Sequence, residues 1–122
     1  MKIRIRGNSI RLRLSKTEVD AFAKEGYLEE KTGFGFTEFL YAMQSLPALD
    51  NLSATYIGNK MTVFVPGKKG DEWTCTDLVG FSDEMEIGSG KKLLILIEKD
   101  FACIDHTDED QSDNYPNPNK AC

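Results

Sequence analysis

The stretch that decides the fold is residues 2–14, which reads KIRIRGNSIRLRL. Isoleucine and leucine alternate with lysine and arginine on both sides of Gly7-Asn8, and a period of two is typical of a β-strand with one buried face. Gly-Asn favours a two-residue turn because glycine readily adopts a positive φ. The stretch therefore predicts a hairpin with strands at 2–6 and 9–14, apolar side chains on one face and basic side chains on the other.

A helix is predicted directly after this hairpin. Residues 15–18 read Ser-Lys-Thr-Glu, a capping box in which the serine and the glutamate satisfy each other's backbone N–H groups. Val19 and Phe22 then follow at helical spacing, and Gly26 supplies a C-terminal stop. The pattern predicts a helix over 16–25.

The remaining segments contain more strands than helices. A second Gly-Asn turn at 58–59 predicts another hairpin, and Trp73 marks a short second helix. We expect no internal repeat, since the two Gly-Asn hairpins share turn chemistry only. The fold class is predicted as α+β: a mostly antiparallel curved sheet or half-barrel of about seven or eight strands with one or two short helices. The further strands are expected at 27–33, 36–44, 52–57, 60–65, 85–87 and 93–104, and the second helix at 70–77.

Length and composition predict one small domain, over 1–104, followed by an acidic tail rich in Asn and Pro over 105–122, in a chain of 122 residues. No apolar run reaches the roughly 20 residues that a membrane helix requires, and the alternating N-terminus is unlike a secretion signal. Three cysteines, an odd number, favour reduced thiols. We therefore expect a cytoplasmic protein, with Cys75 and Cys103 as small core residues.

The net charge of −5 hides a strong segregation of charge along the chain. A sequence pI near 4.9 argues against nucleic-acid binding, which requires an overall basic field. The predicted hairpin nevertheless places Arg4 opposite Arg11 and Lys2 opposite Arg13, and like charges in such pairs are unfavourable. The compensating charge is expected from internal carboxylates, with Glu29, Glu30, Glu38 and the acidic tail as the sources, or from an external anion. The candidate anion- or partner-binding residues are Lys2, Arg4, Arg6, Arg11 and Arg13.

The acidic tail suggests a further hypothesis. Residues 1–14 carry five basic side chains and no acid, whereas residues 105–122 carry five acids and one lysine. The tail could cover the basic hairpin and yield it to an anionic partner.

Motifs for catalysis and metal binding are weak. The weak metal candidates are Cys103, His106, Asp108 and Asp110, which lack the full ligand set of a zinc site or the Gly and Glu of an EF-hand loop. We find no catalytic motif and expect no cofactor. These observations favour a module that binds a small anion or a protein partner, and they set no oligomeric state. A metal- or phosphate-dependent hydrolase using the arginines with acidic residues is one alternative, and a purely structural or interaction protein is another.

Several short blocks resemble a family of uncharacterised bacterial proteins. They are RIRGNSIRLRL at 4–14, Val-Gly-Phe at 79–81, EKDF at 98–101 with Cys103, and Pro-Asn-Pro at 116–118. The resemblance extends over essentially the whole chain. It implies a bacterial cytosolic domain of unknown function, and it assigns no site residue.

Overall fold

The computed structural model describes residues 1–101, which form two helices and eight strands. No helix within this range is long and apolar enough to cross a membrane. In chain order the elements are β1 (Lys2–Arg6), β2 (Ser9–Leu14), α1 (Lys16–Glu25), β3 (Tyr27–Gly33), β4 (Glu38–Leu46), β5 (Ser53–Ile57), β6 (Lys60–Pro66), α2 (Gly67–Cys75), β7 (Gly80–Gly88) and β8 (Lys91–Lys99).

The first hairpin forms with the predicted register. Arg4 pairs with Arg11 and Lys2 with Arg13 across β1 and β2, and Gly7 has a φ of 54° in the turn. On the inner face Leu12 is fully buried, because alternation directs every second side chain of β2 toward the core. The prediction of one apolar and one basic face is confirmed.

Helix α1 begins and ends where its capping residues predict. The Ser15 hydroxyl accepts a hydrogen bond from the Glu18 N–H, and the Glu18 carboxylate accepts one from the Ser15 N–H. At the other end Gly26 adopts a left-handed φ of 69°, and its N–H donates to the Phe22 carbonyl. The helix therefore covers Lys16–Glu25, as predicted.

Four local predictions require correction. Helix α2 begins at Gly67 rather than at 70, directly after the last residue of β6. Strand β7 covers Gly80–Gly88 and is three times the expected length, because Phe81, Asp83 and Met85 continue its alternation. Strand β8 ends at Lys99, short of 104, where the Asp100 N–H donates to the Leu14 carbonyl. Cys75 is exposed at the end of α2 and is not a core residue, while Cys103 lies outside the described residues.

The strands of residues 1–101 form two mixed four-stranded sheets, sheet A (β1-β2-β8-β7) and sheet B (β3-β4-β6-β5). In each sheet two antiparallel hairpins are joined by a parallel pair in the centre, β2 with β8 and β4 with β6. The α+β class and mostly antiparallel pairing are therefore observed. The expected single curved sheet or half-barrel is not confirmed, since neither sheet is closed.

The topology contains an internal repeat that the sequence analysis did not predict. The order ββαββ occurs twice, over 2–46 and over 53–99, and each half contributes its first hairpin to one sheet and its second hairpin to the other. Equivalent backbone hydrogen bonds recur: the Leu94 N–H donates to the Asn8 carbonyl in sheet A, and the Leu40 N–H donates to the Asn59 carbonyl in sheet B. The shared Gly-Asn turns thus occupy equivalent places in two structurally similar halves.

The core lies between the inner faces of the two sheets and the two helices. Phe22 of α1 and Trp73 of α2, at equivalent places in the two halves, are both buried in it. The Trp73 Nε1–H donates to the Val79 carbonyl at 3.0 Å, and its ring meets Phe81 edge-on. The arginines of β1 and β2 lie on the opposite, outer face of sheet A.

Candidate anion-binding site

The outward side chains of the first hairpin form a surface that we call the basic face. Their position follows from the period of two, since the alternate residues of β1 and β2 supply the core. Among the strands of residues 1–101, β1 is an edge of sheet A and pairs with β2 alone. The structure thus brings together all five predicted binding residues: Lys2, Arg4, Arg6, Arg11 and Arg13.

Strand β8 and the residue that follows it supply one carboxylate each to the end of the basic face away from the turn. Glu98 pairs with Arg13 in the parallel register, and its Oε1 accepts from the Arg13 Nε at 3.0 Å and lies 3.3 Å from the Arg11 Nε. The Lys2 Nζ lies 2.8 Å from the Asp100 Oδ2, and this hydrogen bond lowers the pKa of the Asp100 carboxyl below its usual value. Like charges at this end are therefore bridged by protein groups.

The internal carboxylates proposed from the sequence have other partners. Glu29 lies 3.0 Å from the Lys60 Nζ, Glu38 lies 3.8 Å from Lys31, and Glu30 lies 2.7 Å from the Met1 ammonium group. Hydrogen bonds from Lys60 and from Tyr27 lower the pKa of Glu29. Sequence reasoning missed Glu98 and Asp100, although both follow the long apolar run of β8, because nothing in the sequence pairs that strand with β2.

The other end of the basic face, near the turn, contains a pocket of about 200 Å³. Arg4, Arg6 and Arg11 line it together with the Ser9 side chain, and the Ser9 hydroxyl donates to the Arg6 carbonyl at 2.7 Å. Each guanidinium group presents a forked pair of N–H donors, and this geometry suits the oxygens of a phosphate or a carboxylate. The remaining lining residues are Ile10, Leu94 and Leu96.

The apolar side of this pocket comes from β8. Leu94 pairs with Ser9 and Leu96 with Arg11 in the parallel register, so both leucines lie on the same outer face as the arginines. Leu94 is 42% exposed. The pocket therefore combines cationic donors from β2 and β1 with an apolar surface from β8.

The equivalent surface of sheet B has a different chemistry. The hairpin of β5 and β6 has the same turn and register, with Thr55 paired to Thr62 where the first hairpin pairs Arg4 with Arg11. Its outer position next to the turn is Ile57, where the first hairpin has Arg6. Since the same backbone forms with threonine and isoleucine at these places, the fold itself does not require the arginines.

The weak metal candidates Cys103, His106, Asp108 and Asp110 lie outside the described residues, as does the tail that was expected to meet the basic face. Within residues 1–101, no group of three or more His, Cys, Asp or Glu side chains is placed to hold a metal ion. The five candidate residues that the structure does describe border the basic face, and three of them line its pocket.

The chain belongs to a family of unknown function, DUF7009, whose model matches residues 1–119. The resemblance to a family without an assigned function is thereby confirmed. Searches of curated proteins and of solved structures found no match.

Proposed function

We propose that the protein is a binding module that takes up an oxyanion, of the phosphate or carboxylate type, in the pocket of the basic face. The observation that supports this most is the convergence of Arg4, Arg6 and Arg11 on one pocket near the turn. A bacterial, cytoplasmic protein, as the sequence suggests, would meet many such anions as small metabolites.

The electrostatics of the hairpin support the proposal. Arg4 and Arg11 are direct cross-strand partners, and Arg6 follows on the same face, so positive charge is concentrated around the pocket and attracts an anion. Glu98 lies beside both Arg11 and Arg13, and Asp100 lies beside Lys2, so these carboxylates meet the hairpin from the end away from the turn. An oxyanion between the arginines would receive charge-assisted hydrogen bonds, which are stronger than those between neutral groups.

The internal repeat offers a second line of support. Arginine on an edge strand also protects it against pairing with other chains. That role alone would apply equally to β5, an edge of sheet B, whose outer residues are Ser53, Thr55 and Ile57. The concentration of arginine in one of two equivalent hairpins is better explained by a ligand.

Titration of the full chain with inorganic phosphate tests the proposal, followed by NMR or calorimetry. Arg4→Thr and Arg11→Thr introduce the residue found at the equivalent places of the second hairpin. Each should weaken phosphate binding by roughly 10- to 150-fold, because a hydrogen bond to a charged group contributes roughly 1.5–3 kcal/mol.

The matched control is Lys31→Thr, which removes the same charge from the outer face of sheet B and should change the affinity less than twofold. Absence of phosphate binding to the unmodified chain, or an equal loss in Lys31→Thr, would contradict the proposal. The second result would mean that only the overall charge matters.

A further inference from the structure

We infer that the ligand of this pocket is an amphiphilic anion: one anionic head group attached to an uncharged apolar body. This inference rests on the proposed function and narrows its ligand class. It depends on what β8 contributes to the pocket, which is independent of the arginines.

The apolar body is indicated by Leu94 and Leu96. Both line the pocket, and Leu94 leaves 42% of its surface in solvent on a face where its neighbours in β2 are Ser9 and Arg11. An inorganic ion would contact the arginines but would gain nothing from the apolar surface of the leucines. An alkyl or aryl group attached to the anion would cover it.

The repeat again provides a comparison. The residues of β4 that take the places of Leu94 and Leu96 are Leu40 and Ala42, as the equivalent registers with β6 show. Ala42 is fully buried there, whereas Leu96 is only half-buried and adjoins the pocket. The two sheets therefore differ at the second of these places, where only Leu96 borders a pocket lined by arginines.

The far side of the leucines limits the ligand to one anionic group. Strand β7 pairs Glu84 with Leu94 and Glu86 with Lys92, and both glutamates are exposed. The Glu84 carboxylate lies 3.9 Å from the Lys92 Nζ. A ligand whose head meets the arginines and whose body crosses the leucines would bring a second anionic group toward Glu84, where repulsion would weaken binding.

Four probes on the full chain separate these elements: inorganic phosphate, hexyl phosphate, 1-hexanol and hexane-1,6-diyl bisphosphate. Hexyl phosphate should bind about tenfold more tightly than inorganic phosphate, since covering roughly 60 Å² of apolar surface corresponds to about that factor. 1-Hexanol should show no measurable binding. The bisphosphate should bind only slightly more tightly than inorganic phosphate, because its second phosphate approaches Glu84.

Leu94→Ser should lower the ratio of the hexyl phosphate affinity to the inorganic phosphate affinity from about tenfold to less than about threefold. Ile57→Ser, which changes an apolar side chain that is 74% exposed on sheet B, is the control and should alter neither. Arg4→Thr should weaken the binding of hexyl phosphate and of inorganic phosphate by the same factor.

The outcomes separate this inference from the proposed function. If hexyl phosphate and inorganic phosphate bind equally and both depend on Arg4, the inference is wrong and the oxyanion site stands. Tighter binding of the bisphosphate than of hexyl phosphate would also overturn it. If neither phosphate binds, the proposed function fails.

Discussion

The β1–β2 hairpin and the β5–β6 hairpin occupy equivalent places in the two sheets, yet their outer faces differ in charge. Both have a glycine at positive φ in the turn, 54° at Gly7 and 56° at Gly58, and both bury apolar residues on the inner face. Outside, one pairs Arg4 with Arg11 and the other pairs Thr55 with Thr62.

The comparison shows which positions the fold constrains. Leu12 and Leu14 of β2 and Val63 and Val65 of β6 are all fully buried, so the inner face must be apolar in both halves. The outer positions are threonine in one half and arginine in the other without a change of register. The fold therefore leaves the outer positions free to vary, and the residues found there can serve a function such as ligand binding.

The largest expected effect tests whether the two halves contribute equally to the core. Phe22→Ala and Trp73→Ala should each lower the free energy of unfolding by about 3–5 kcal/mol, because they remove large buried side chains and leave cavities. Trp73→Ala should cost more, since the Val79 carbonyl also loses its hydrogen bond. Urea unfolding measures this.

Ile57→Ala, at an exposed position, should change the same free energy by less than about 0.5 kcal/mol. A loss below about 1 kcal/mol for either aromatic would break the equivalence of the two helices in the core.

A smaller effect concerns the residue that precedes the first strand of each half, Met1 and Leu52, because its nitrogen is charged in one half and neutral in the other. The Met1 ammonium group meets Glu18 and Glu30 in the first half, whereas in the second the Leu52 N–H donates to Asp83 at 2.8 Å. Burial raises the pKa of Glu18, but hydrogen bonds from the Met1 ammonium and from Ser15 outweigh it and hold the pKa below 4.5.

The folded state therefore binds fewer protons than the unfolded state near pH 4.5, and Glu18 stabilises the fold above that pH. This contribution is lost as the pH falls through the lowered pKa. Glu18→Gln should reduce the free energy of unfolding at pH 7 by about 0.5–1 kcal/mol. Glutamine can still accept the hydrogen bond from the Ser15 N–H, so the capping box is retained. The free energy of unfolding should then fall less as the pH is lowered.

Urea unfolding between pH 7 and pH 3 checks this, with Glu25→Gln at the exposed end of α1 as the control. Curves of stability against pH that run parallel for Glu18→Gln and the unmodified chain would show that Glu18 makes no such contribution.

The smallest effect concerns Glu98, whose equivalent in β4 is Gln44. Glu98→Gln removes a carboxylate beside Arg11 and Arg13, and at a distance of roughly 7 Å in water this should tighten phosphate binding about threefold. The stability should change by less than about 1 kcal/mol, because the pairs are partly exposed.

Calorimetric titration with inorganic phosphate measures this change, and Glu38→Gln on sheet B should leave the affinity unchanged. Weaker binding in Glu98→Gln would indicate that Glu98 holds the arginines in a binding geometry, which would sharpen the role of β8 in the site.

Local chemistry made much of the fold predictable. The alternation in residues 2–14, the Gly-Asn turns and the capping box at Ser15 each depend on a few neighbouring residues, and the structure has the predicted hairpins and the predicted helix. The five basic candidates could be identified in the same way, because a period of two assigns each side chain to a face.

Long-range pairing could not be predicted in this way. The parallel pairing of β2 with β8 places Ser9 opposite Leu94, and these residues are 85 positions apart in the sequence. The internal repeat is not visible in the sequence, because its two halves share little beyond the Gly-Asn turns and the buried positions. The leucines and Glu98 of the site were missed for this reason.

The sequence by itself determined the hairpins, the first helix and the face on which the arginines lie, since these follow from spacing, turn chemistry and caps. Only the tertiary structure decided that β8 lies beside β2 and brings Leu94, Leu96 and Glu98 to the arginines. The physical reason is that every strand edge offers the same backbone hydrogen bonds, so packing of the whole core selects the partner.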